Sequence, residues 1–142
     1  MATNNAATTY LEHKILDFLF KNNSSSFATP GNSIYVGLAT AVSNAEAGTL
    51  TEATFGSDAR QQVQASGWTL ASSSTDQQTV TNAANIEFPA STGTSNTVTH
   101  AFIVDAASSG NILFIGALDA NKTIATGDIF RINAGNLTIE LK

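Results

Sequence analysis

The sequence has no cysteine, two histidines, two prolines and one tryptophan, and its six basic and eleven acidic residues make up only 12% of the chain. The lack of cysteine excludes a disulfide framework, a thiolate metal site and thiol catalysis, and leaves the redox compartment open. Two scattered histidines without cysteine fall short of a typical structural zinc site. Lys14, Lys21, Arg60, Lys122, Arg131 and Lys142 form no patch, and the net charge is −5. That balance argues against nucleic acid as a partner, because phosphate recognition needs a concentrated basic face. The most apolar stretch, Ile112 to Leu118, is far shorter than the roughly 20 residues of a membrane helix, so no membrane partner is expected. Met1 to Thr9 carries neither a basic residue nor an apolar core and does not read as a secretory signal.

What fills the chain instead is small and polar. It holds 19 Thr, 14 Ser, 13 Asn and 22 Ala, nearly half of its 142 residues. Hydroxyls and amides are satisfied by water or by a neighbour at little desolvation cost. Such a surface suits a Thr-rich β-domain, or a protein packed into a large assembly. The length predicts one domain, residues 1–142, able to bury a core without disulfides or metals.

Residues 1–8 read as a flexible polar arm, with Ala2, Thr3, Asn4, Asn5 and Thr8 as candidate subunit contacts. A helix is predicted over 9–22. Thr9 and Glu12 have the spacing of a capping box, and Leu11, Ile15, Phe18 and Leu19 share a face that Leu16 and Phe20 widen. Asn22 and Asn23 are its terminators, since Asn tolerates the left-handed conformation. Residues 24–33 contain a Pro-Gly turn signal. The period then changes, and residues 34–141 read as a β-domain. Strands are predicted at 34–39, 61–71 (interrupted at Gly67), 78–81, 85–88, 97–104 and 111–118, the last as the central strand. Residues 41–59 read as a long loop or exposed flap. Residues 129–133 and 136–141 alternate and read as a terminal hairpin, with Phe130 and Ile132 on one face and Ile129, Arg131 and Asn133 on the other. The fold class is mainly β: an antiparallel sandwich or barrel of about seven to eight strands with one N-terminal helix.

His13 sits beside Glu12 and Lys14 on the polar side of the helix. His100 lies within a strand, with no nucleophile marked nearby. Asp105, Asp119 and Asp128 fall at predicted strand ends, where Asp is first of all a turn residue. They lack the spacing of a calcium loop. Trp68, beside Gly67, is read as core. No acid/base constellation is marked, so no catalytic, cofactor or metal residues are assigned, and an enzyme is not expected.

The last third of the chain carries a resemblance. Residues 86–141, with Phe88-Pro89, Thr97 to His100, Asp105-Ala106, GNILFIGAL and GDIFRINAGNL, resemble a family of small tailed-phage virion proteins, often labelled tail fibre proteins. TTYLEHKILDFLF and IYVGLAT (Ile34 to Thr40) resemble it too, and the likeness is weakest at 41–60. Members often carry Gly-Tyr-Ala-Arg-Gln in the middle, where this chain has Asp58 in place of the Tyr, followed by Ala59, Arg60 and Gln61.

The resemblance implies a bacteriophage virion structural protein located in the virion, with fold-determining rather than catalytic motifs. The small size, with no heptad or collagen-like shaft, favours a capsid decoration or cement protein that stabilises the head shell. The alternative is a tail or head fibre component that contributes to host recognition. The expected partners are other virion proteins, either the major capsid protein or tail proteins, together with further copies of the chain in a homo-oligomer.

Overall fold

The computed structural model describes residues 6–23, 34–56, 59–72 and 78–141. The predicted Pro30-Gly31 turn and the arm residues Ala2, Thr3, Asn4 and Asn5 lie outside the described residues. One helix and eleven strands follow in the order β1 (Ala6–Ala7), α1 (Thr9–Phe20), β2 (Tyr35–Asn44), β3 (Thr49–Glu52), β4 (Gln61–Gln62), β5 (Trp68–Leu70), β6 (Gln78–Asn82), β7 (Ile86–Glu87), β8 (Asn96–Val104), β9 (Ile112–Ile124), β10 (Arg131–Ile132) and β11 (Thr138–Leu141). The mainly antiparallel β class is as expected, and the large sheet curls into a half-barrel.

That sheet runs β1-β9-β8-β2-β3, with β4 pairing the start of β2. Its centre is β8, not the more apolar β9 that the sequence suggested. Ala101 and Ile103 face the main core with Val36 and Leu38, while Phe102 and Val104 face a second cluster with Ala39 and Ile115. Burial on both sides is what a central strand experiences. In β9 only Ile115 and Ile124 are buried, and among the described residues just the two of β1 cover part of its outer edge. Opposite Phe102 stands Gly37, the register partner across β2 and β8. A Cβ there would lie 2.2 Å from Phe102 Cζ, so the ring packs over bare backbone and only glycine fits.

The predicted flap at 41–59 is largely a hairpin. β2 runs on to Asn44, whose side chain accepts from the Ala47 N–H, and Gly48 closes the turn with φ +69°. β3 then returns along β2, and Ala53 and Phe55 enter the core. Hairpin pairing needs backbone groups alone, and small residues such as Ala39, Ala45 and Ala53 are buried without creating an apolar signal.

The predicted terminal hairpin does not form. β10 pairs with β7, and β11 pairs with β6 in a separate three-stranded sheet β11-β6-β5. The alternation within the segment holds: Phe130 and Ile132 are buried, and Phe130 meets Phe88 edge to face at 5.9 Å. The interruption at Gly67 is a 3-10 turn over Ala65–Gly67 leading into β5.

The helix begins one residue earlier than the capping-box reading places it. Thr8, still extended at ψ 153°, is the N-cap. Its Oγ1 accepts from Leu11 N at 3.3 Å and donates to the Ile112 carbonyl at 2.6 Å. Thr9 is already helical, and its N–H donates to the Glu46 carbonyl. At the other end Asn22 takes φ +54° and Asn23 N–H reaches back to the Asp17 carbonyl, so both predicted terminators act as read.

Candidate functional site

The features that could carry function are surfaces. Helix α1 rests on the sheet by its first turn: Leu11 is buried and Ile15 half-buried. Beyond that the apolar stripe faces outward. Leu16 is 57% exposed, Leu19 64% and Phe20 78%. A surface helix normally turns its apolar stripe to its own core. Here the second half of the stripe is exposed. Large contiguous apolar patches on small proteins mark interaction sites.

The three-stranded sheet has the same character at one end. Leu70, Val80 and Ile139 are register partners and so share a face. Trp68, Leu137 and Ile139 pack on the main core, while Leu70 and Leu141 project past it, 73% and 57% exposed.

The arm reading is divided by the structure. Thr8 does not belong to a flexible arm. It is buried, its N–H donates to the Leu113 carbonyl at 2.9 Å, and the two residues before it pair with Phe114 and Ile115. Within the former flap, Glu52 is held by Arg60 and Glu46 gives its carbonyl to Thr9.

The aspartates are not brought together. Asp105 closes the β8–β9 turn by accepting from the Asn111 N–H at 2.7 Å and its Nδ2 at 3.0 Å. Asp128 caps the turn after β9 by accepting from Ala125 N–H at 2.9 Å. Because β8 and β9 are antiparallel, those two turns lie at opposite ends of the hairpin. Asp119 is exposed in mid-strand. His13 is exposed. His100 is half-buried in β8, with Nδ1 2.7 Å from Thr99 Oγ1 and Nε2 buried without a partner among the described residues. That burial lowers its pKa from the ordinary 6.5, so the ring is neutral at pH 7.

Sequence reasoning missed Arg60, which appeared only as one of six scattered basic residues. It ties β3 to the β8–β9 turn through Glu52, Ala106 and Ser109. The signal available was the Ala59-Arg60-Gln61 match to the middle segment of the phage family.

A family model described as podophage GP4 fiber I protein gp80 matches residues 6–140. No curated protein matches the chain.

Proposed function

The chain belongs to the podophage fibre I protein family, and on that premise we propose that it is a short fibre component fixed to the virion through the outward face of α1. Family membership places the protein among phage structural proteins and in the virion. The observation that carries the attachment reading is the stripe of Leu16, Leu19 and Phe20, exposed on a helix whose first turn is anchored in the sheet. The occupant is another virion protein, since a fibre component must join its neighbours by buried apolar area. Residues 2–5, which immediately precede the β1–β9 pair, add a second contact. Copies of the chain associate with one another in the assembled fibre.

The compact architecture favours a second reading, capsid decoration. The described residues hold one 12-residue helix and no extended shaft, which suits a domain laid on a shell. Immunogold electron microscopy of intact virions separates the two. Label confined to the tail or to a fibre supports the first reading, and dense label over the head supports the second. Virions without label would overturn both.

A further inference from the structure

Between β4 of the large sheet and β7 of the two-stranded sheet lies a groove of about 410 Å³. One wall comes from β4 and the 3-10 turn, with Gln61, Gln64 and Ser66. The other comes from the entry into β7, with Asn85 and Glu87. Val63 and Ile86, both core residues, also line it.

Both walls are fixed by bonds inside the chain. Val63 donates its N–H to the Ile34 carbonyl, and its own carbonyl accepts from Trp68 Nε1–H. Ala83 N–H donates to the Gly67 carbonyl across the groove's end. Asn82, 1% exposed, gives Nδ2 to the carbonyls of Ala84 and Asn133 and accepts from Leu137 N–H. Asn85 Oδ1 accepts from Ala134 N–H at 2.9 Å. The Glu87 Oε2 is held by Arg131.

The unused capacity points into solvent. Asn85 Nδ2, Gln61 Oε1, Glu87 Oε1, the Gln64 amide and the Ser66 hydroxyl meet no partner among the described residues. We propose that this groove binds a neutral saccharide of the host surface. Adjacent amide and carboxylate groups match vicinal hydroxyls, each of which donates and accepts. The apolar atoms of Val63 and Ile86 suit the C–H face of a sugar ring. Among the described lining residues the only ion is Glu87, and it is already matched by Arg131, so an anionic ligand finds no cation there to pair with. The volume lies within the roughly 300–1,000 Å³ of small-molecule sites, and the prefixed walls lower the ordering cost of binding.

The inference rests on the fibre reading for its biological sense, but its test is independent of virion placement. The full chain, labelled with nitrogen-15, is titrated with methyl glycosides of glucose, galactose, N-acetylglucosamine and rhamnose, and with glucuronate and inorganic phosphate. At least one neutral glycoside should shift amides of residues 61–67 and 84–87 with a Kd on the order of 1 mM. Glucuronate and phosphate should leave them unmoved. Gln64→Ala and Asn85→Asp should each weaken that binding about tenfold. Gln64 is exposed, and Asp at 85 keeps the oxygen that accepts from Ala134, so both variants should retain the wild-type spectrum elsewhere. Silence of both segments towards all four glycosides would overturn the proposal, as would wild-type binding in both variants. A sugar-silent groove leaves the immunogold result standing. Sugar binding by a protein absent from virions would instead overturn the fibre reading alone.

Discussion

Arg60 holds Glu52 by both carboxylate oxygens, Nε on Oε1 and Nη2 on Oε2, each at 2.9 Å. Its Nη1 donates to the carbonyls of Ala106 at 2.9 Å and Ser109 at 2.7 Å, and the guanidinium carbon lies 5.4 Å from the Phe102 ring centroid. One side chain thus joins an edge hairpin, the neighbouring turn and the second core cluster. Lysine cannot reproduce this, because the planar fork supplies the paired geometry. The Arg60 side chain is 8% exposed but that of Glu52 is 35% exposed, which discounts the full cost of breaking a buried pair. Arg60→Ala is expected to cost about 2–3 kcal/mol and Arg60→Lys about 1–2 kcal/mol. Urea unfolding checks this: both midpoints should fall with the slope unchanged. A lysine variant with the wild-type midpoint would refute the fork argument.

Thr8 serves a helix and a strand with one hydroxyl, capping Leu11 N–H and donating to the Ile112 carbonyl. Thr8→Ala removes both bonds at a buried position and should cost about 1–3 kcal/mol. Thr9→Ala should cost under about 0.5 kcal/mol, because Thr9 lies exposed in the first helical turn. Thermal melts of the two variants distinguish the caps. Equal losses would restore Thr9 as the N-cap.

His100 sets a pH dependence whose sign follows from its burial. The folded-state pKa is depressed below the ordinary 6.5, so between the two values the unfolded chain binds more protons. The stability associated with neutral His100 is fully present above about pH 6.5 and is lost as the pH falls through 6.5 towards the folded value. His100→Gln abolishes this term. The fall in Tm between neutral and mildly acid buffer should therefore be shallower in the variant than in the wild type. Parallel profiles would show that His100 contributes no such term.

The exposed helix stripe separates stability from assembly. Leu19→Glu with Phe20→Glu alters residues 64% and 78% exposed, so folding free energy should change by no more than about 1 kcal/mol for the pair. Incorporation into virions should be lost, as read by immunoblot of purified particles from a complemented deletion. Normal incorporation would mean that another surface makes the attachment. Deleting residues 2–5 tests the arm in the same assay without disturbing the β1–β9 pair.

Much of the local structure was legible in the sequence. Phe130 and Ile132 alternate with Arg131 because a strand's side chains repeat every two residues. Asn22 marks the helix end because it can take positive φ. Gly67 interrupts its segment because the chain turns there. The virion role also came from sequence, through the motifs of 86–141. The apolar helix residues were legible as a stripe, but not their exposure, since the same pattern serves a core or a partner.

What only the tertiary structure decided is which segments meet. Backbone ladders offer the same N–H and C=O groups to any partner, so strand identity does not fix strand pairing. Hence β10 and β11, adjacent in sequence, go to different sheets, and β8 takes the centre that the greater hydrophobicity of β9 suggested for itself. Thr8 looked like arm because its bonds to the Ile112 and Leu113 carbonyls reach more than a hundred positions along the chain. Arg60 was invisible for the same reason: its partners Ala106 and Ser109 come near only when the sheet closes. Sequence fixes what each segment is able to form locally, whereas non-local contacts select among those possibilities when they bury enough surface to offset the entropy of bringing distant residues together.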